Sequence, residues 1–69
     1  MPILQGYFES EALETYDYDT NTNLLVLTFR KPPRGPFYYY NVPQPVFAGL
    51  RNAGSAGQYF NAVIRGVYE

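Results

Sequence analysis

Neither cysteine nor histidine occurs among the 69 residues, and each absence removes a class of chemistry. Without cysteine, no disulfide framework and no thiolate metal site can staple so small a core, so packing or self-association must supply the stability. Without histidine or cysteine, no Ser-His-Asp or Cys-His mechanism can be assembled, and Ser10 and Ser55 have no imidazole to activate them. Charge is scarce too: five Lys or Arg stand against six Asp or Glu, a net charge of −1. That balance lacks the basic excess with which sequence-blind nucleic-acid binders neutralise phosphates. No apolar run approaches the roughly 20 residues that cross a bilayer, and Met1-Pro2-Ile3-Leu4-Gln5 has no basic stretch leading into an apolar one. The expectation is a soluble, cytosolic chain with no membrane partner.

What the chain does contain is aromatic. Eight Tyr and five Phe raise the hydrophobic share to 46%, far from the weakly hydrophobic, highly charged range of disordered chains. The length allows one compact domain. Residues 1–10 are an N-terminal segment of uncertain structure, and residues 11–69 form the domain. Ala12 to Tyr18, rich in Tyr and Thr, predicts a strand, and Asp19-Thr20-Asn21-Thr22-Asn23 predicts a turn, because short polar side chains bond local backbone. Leu24 to Arg30 gives the strongest strand signal, with Leu25, Leu27 and Phe29 on one face and Leu24, Val26 and Thr28 on the other. The prolines of Lys31-Pro32-Pro33-Arg34-Gly35-Pro36 remove ladder donors, so this stretch is a long hairpin connection leading to a strand at Phe37-Tyr38-Tyr39-Tyr40.

Val42-Pro43-Gln44-Pro45 stops that strand. Pro45 fits the first turn of a helix whose Val46, Phe47, Leu50 and Ala53 share one stripe, and Gly54 ends it. Ser55 suits the N-cap of a second helix, with Phe60, Val63, Ile64 and Val67 on the buried face. The fold class that follows is α+β, a three-stranded antiparallel meander followed by two α-helices packed on one face.

Three groups of residues invite a functional reading, each with a structural alternative. Asp17 and Asp19 stand two apart beside a turn, where opposed acid and base groups of a catalytic cleft are not expected. Together with Asn21 and Asn23 they imitate the start of a calcium loop, but Thr22 and Thr28 occupy the positions that need Gly and Glu. Neither a catalytic residue, nor a metal site, nor a cofactor is expected. Arg30, Lys31 and Arg34 concentrate positive charge at the hairpin, where they suit phosphate contacts or simply keep a sheet edge soluble. Tyr38 and Tyr40 join Val26 on the sheet face away from the helices, too apolar to stay bare without consequence. The N-terminal Ile3, Leu4, Tyr7 and Phe8 folding back, a second copy in a homodimer, a protein partner or stacked bases would each cover it.

On the second helix Asn61 and Arg65 are four apart, with Gln58 one turn earlier, beside Gly57 and the Ser55 cap. Amide, guanidinium and free N–H donors together suit a phosphate or carboxylate. The structural alternative has Asn61 bonding loop backbone and Arg65 pairing with Asp19 or Glu69.

The order of these motifs resembles the KTSC domain family, short modules found at the C-terminus of some lysyl-tRNA synthetases and as free-standing bacterial and phage proteins. The resemblance rests on Tyr18-Asp19, Leu25, Leu27, Phe29, Phe37, Tyr39, Val42-Pro43 and Val46-Phe47. Its most specific part is Ser55-Ala56-Gly57-Gln58-Tyr59-Phe60-Asn61 followed by Ile64-Arg65 and Tyr68. Departures are the long proline-rich hairpin, where the family usually has a short Gly-containing turn, and Ala53-Gly54 in place of Ala-Pro or Ala-Glu. The resemblance implies a small three-strand, two-helix fold and an RNA-associated, non-enzymatic role. Ser55, Gly57, Gln58, Asn61 and Arg65 would then contact RNA, with Arg30, Lys31 and Arg34 as outer phosphate contacts. The other expectation is a regulatory module that docks on a protein through Tyr38, Tyr40 and Val26.

Overall fold

The computed structural model describes residues 3–68. Strands β1 (Ile3–Tyr7), β2 (Leu13–Asp19), β3 (Leu24–Phe29) and β4 (Phe37–Tyr39) form one antiparallel sheet in the order β1-β2-β3-β4. Helix α1 (Gln44–Asn52) follows, then α2 (Ala56–Tyr59), which runs on as a π-helical turn over Phe60–Ile64. The α+β class is as expected, but the meander has four strands rather than three. The additional strand comes from the N-terminal segment of uncertain structure: Ile3-Leu4-Gln5-Gly6-Tyr7 is too short and too interrupted by glycine to announce itself, and it gains its partner only when β2 is in place.

The register fixes the two faces. Leu25 and Leu27 of β3 lie opposite Tyr18 and Tyr16 of β2 and opposite Tyr39 and Phe37 of β4, all on the helix-covered face. There Leu13, Tyr18, Leu25, Leu27, Val42, Leu50 and Ile64 are fully buried, with Phe8, Tyr39, Phe47, Ala56 and Phe60 nearly so. Aromatic rings dominate this core. Tyr18 stacks on Phe47 of α1 at 4.3 Å between centroids and 6° between planes, and Phe60 meets Phe29 and Tyr39 edge-on at 5.3 and 5.5 Å. Such pairs add about 0.5–1.5 kcal/mol each beyond the area they bury.

The second helix is shorter than the apolar spacing suggests. Ser55 caps it as expected, accepting the Gln58 N–H, but Arg65 is extended and Gly66 has φ +78, so the chain leaves the helix after Ile64. Val67 therefore lies outside it and is 64% exposed. Among the described residues no helix is long and apolar enough to cross a membrane.

The opposite sheet face is open. By register it carries Ile3, Gln5 and Tyr7 from β1, Thr15, Asp17 and Asp19 from β2, Leu24, Val26 and Thr28 from β3, and Tyr38 from β4. The N-terminal residues extend this face as an edge strand rather than folding over it, because alternate residues of β1 bond their backbone to β2. Only Phe8 turns into the core.

Candidate functional site

Polar groups in this chain divide into those that tie the fold together and those that are left on the surface. Tyr18 belongs to the first kind. Its hydroxyl donates to the Val42 carbonyl at 2.6 Å and lies 3.1 Å from the Asn23 side-chain oxygen. Asn23, in the left-handed region at φ 59, is held by its own N–H on the Asp19 carbonyl, and it accepts the Val42 N–H. The β2–β3 turn is thus fastened to the residue that leads into α1. Burial pushes the Tyr18 pKa above its ordinary 10.0, since the phenolate would be desolvated. Asp19 uses a carboxylate oxygen to accept the Asn21 N–H at 2.8 Å, the expected turn chemistry.

Arg30 and Arg34 also act on the fold. The Arg30 guanidinium donates to the Ser10 carbonyl through Nε and to the Phe8 carbonyl through Nη2 at 2.6 Å, and its own N–H bonds the Ala12 carbonyl. Ser10 in turn accepts the Ala12 and Leu13 N–H groups on its hydroxyl. The β1–β2 connection is therefore wrapped around one arginine. Arg34 pairs with Glu14 at 2.6 Å. Arg51 lies over the Phe47 ring, 5.6 Å from its centroid.

Lys31 and Arg65, the remaining two of the five cations, border a cleft of about 530 Å³. Its walls come from the proline hairpin, from β4 and from the second helix. Phe29, Phe37, Tyr38 and Phe60 line it, with Pro32, Pro33, Gly57 and Asn61. Lys31 makes no hydrogen bond or ion pair among the described residues. Arg65 meets only Asn61, whose side-chain oxygen is 3.5 Å from Nη1. The π-helical turn sets this pair: the Arg65 N–H reaches back five residues to the Phe60 carbonyl at 2.9 Å, ending the helix just where the guanidinium leaves it.

The structure brings Lys31, Gly57, Asn61 and Arg65 together and leaves Arg30 and Arg34 outside the cleft lining. Ser55 and Gln58, joined to each other at the helix cap, also lie outside the lining. Gly57 permits α2 to approach the β1–β2 connection, as a Cβ there would lie 3.1 Å from that of Ala12. Arg65 meets Asn61 rather than Asp19, and Glu69 lies outside the described residues. Tyr38 and Tyr40 are 51% and 59% exposed, and Val26, opposite Tyr38, is half-buried. Sequence reasoning missed Phe29 and Phe37 as cleft walls, because their strand phase assigns them to the core face, and at the sheet's end that face is only partly roofed.

Comparisons with known proteins agree with this fold. The KTSC domain model matches residues 9–68. A protein of Tsukamurella paurometabola is 35% identical over 57 residues, which cover 83% of this chain and 82% of that one. The crystal structure of a KTSC domain protein from Yersinia pestis superposes with a TM-score of 0.88 at 25% identity, covering 99% of this chain and 93% of that one.

Proposed function

This chain belongs to the KTSC domain family, and we propose that it is a non-enzymatic module that holds unpaired RNA in the cleft between the proline hairpin and the second helix. The observation that carries the reading is the distribution of its cations. Three of five are engaged by the fold, while Lys31 and Arg65 stand beside an aromatic-lined cleft with the Asn61 amide between hairpin and helix. Base stacking on aromatic rings with cations on the backbone is how proteins hold single strands. A duplex keeps its bases stacked on one another and offers such a cleft nothing to insert. Transfer RNA, with its unpaired loops and end, is the first ligand to test, and the cytosol is where the module would meet it.

With net charge −1 the binding is modest and rests on two cations. Titration of unstructured RNA and of transfer RNA across salt concentrations should give a log–log slope of about −1.4, two phosphates at roughly −0.7 each for a single strand. No binding at low salt, or duplex preferred over single strand, would sink the reading.

A second reading concerns the open sheet face. Asp17 and Asp19 stand among its exposed tyrosines and repel phosphate, so Val26, Tyr38 and Tyr40 suit a protein surface that is apolar and basic rather than RNA. Tyr40→Ala separates the two readings: it leaves RNA affinity intact and weakens only protein docking.

A further inference from the structure

The free edge of β1 is built to pair with itself, and we infer that two copies of the chain associate through β1 in antiparallel register centred on Gln5, joining two sheets into one of eight strands. This goes beyond the RNA reading and uses a different surface. The direction of the backbone groups comes first. Phe8 donates its N–H to the Glu14 carbonyl at 2.9 Å, and Glu14 is the residue that the β1–β2 register sets opposite it. Hydrogen-bonded and non-bonded pairs alternate along antiparallel strands. Gly6 and Leu4 therefore face β2 like Phe8, and Ile3, Gln5 and Tyr7 aim N–H and C=O at the free edge.

A two-fold axis through Gln5 pairs Ile3 of one copy with Tyr7 of the other and Gln5 with Gln5. Each of these is a position with outward backbone groups: three donors on each of two copies, six hydrogen bonds in all. The side chains agree. Ile3 and Tyr7, 49% and 77% exposed in one copy, meet as a β-branched and aromatic pair on the open face. Leu4, 38% exposed, meets Gly6 on the other face, where the Tyr16 ring already fills the space a side chain would take; a Cβ at Gly6 would lie 2.5 Å from the Tyr16 hydroxyl oxygen. No other centre on this strand uses all three outward residues.

Charge selects this mode over stacking of the two open faces. Stacked sheets lie about 10 Å apart, which sets Asp17 and Asp19 of each copy against one another across a dry interface. In the edge pairing the two β2 strands are three strand spacings apart, roughly 14 Å, beyond the ~8 Å screening length at physiological salt. β1 itself carries no charge and no proline, the devices that ordinarily blunt an edge. The opposite edge is protected: β4 is three residues long, follows Pro36 and precedes Pro43, and beyond it the Tyr40 N–H is taken by the Tyr68 carbonyl.

A contact of one strand pair lies below the ~1,200 Å² of stable complexes, so the dimer is weak and visible only at high concentration. Sedimentation equilibrium from about 10 μM to 1 mM, a range matched to such affinities, should show the 7.9 kDa chain moving to twice its mass. Gln5→Pro removes an outward N–H, leaves the bonds to β2 intact, and should weaken dimerisation at least about thirtyfold, the loss of two bonds. Should that variant fail to fold by circular dichroism, Tyr7→Lys alters only an exposed side chain and should weaken the dimer about tenfold by placing a cation on the edge. A monomer throughout the range overturns the proposal. So does a dimer that both folded variants retain, a dimer lost in Tyr38→Lys but kept in Gln5→Pro, or a monomer whose edge takes up an added extended peptide.

Discussion

The β1–β2 connection and the cleft beside it, at the same end of the sheet, use the same kinds of side chain for opposite purposes. At the connection Arg30, exposed on the surface, bonds the Phe8 and Ser10 carbonyls, and Arg34 is held by Glu14. At the cleft Lys31, next to Arg30 in the chain, makes no polar contact among the described residues, and Arg65 meets only a neighbouring amide. The difference lies in what each cation faces. A carbonyl-lined connection of fixed length captures a guanidinium with a planar fork, whereas the cleft offers aromatic walls that leave a cation's hydrogen-bonding capacity for something else.

The sharpest way to break this comparison is to remove Arg30. Arg30→Ala frees the Phe8 and Ser10 carbonyls and unwraps the β1–β2 connection, at an expected cost of about 2 kcal/mol, since bonds from a charged donor are worth about 1.5–3 and water takes back part of the loss. For a domain of this size that lowers Tm by roughly 10 °C, read by thermal melts, while the salt slope of RNA binding should not move. A melt unchanged in Arg30→Ala would erase the distinction between the two regions.

Tyr18→Phe comes next. It leaves the buried Val42 carbonyl without its donor, at about 1–2 kcal/mol. The wild type also carries a pH signature. A phenol whose folded pKa lies above its unfolded value binds its proton more tightly in the native state, so its contribution is complete below pH 10 and is lost as pH rises through the folded pKa. Denaturation midpoints should therefore fall as pH rises above 10 in the wild type, and fall less in Tyr18→Phe, which lacks the phenol.

At the cleft the expected effects are on binding and not on folding. Lys31→Ala and Arg65→Ala should each keep stability within about 0.5 kcal/mol, reduce RNA affinity about tenfold at low salt, and lower the magnitude of the salt slope by roughly 0.7 to 1. Loss of affinity with an unchanged slope would mean that the residues shape the cleft rather than touch phosphate.

Much of this was legible in the sequence. The β3 alternation, the proline break, the Ser55 cap and the Phe47, Leu50, Phe60 and Ile64 core positions follow from local pattern, and the structure has them all. The four-residue spacing also places Asn61 beside Arg65, but the helix ends at Ile64, and a π-helical turn with the Arg65 N–H on the Phe60 carbonyl sets their contact. The assignment of β1 was not legible, since a short strand with a glycine is defined by its partner. Nor was the division of the hairpin cations: Arg30, Lys31 and Arg34 stand within five residues, and what separates them is contact with Phe8, Ser10 and Glu14, 20 to 22 residues away. Charge density along a chain reports how much cation is present, and only the fold reports how much remains unengaged.

Arg34 gives the smallest effect and the finest discrimination. It belongs with the tied cations by its bond to Glu14, yet its side chain is 56% exposed against 32% for the partner, and an ion pair in that much water is worth about 0–1 kcal/mol. Arg34→Ala should therefore shift Tm by only a few degrees, and the shift should shrink in high salt, where the Arg30 effect, resting on neutral carbonyls, persists. If Arg34 instead left Glu14 for a phosphate when RNA is present, the variant would show a reduced salt slope with its stability unaltered. An unchanged slope keeps it with Arg30 on the side of the fold, and confines the phosphate contacts to the two cations that border the cleft.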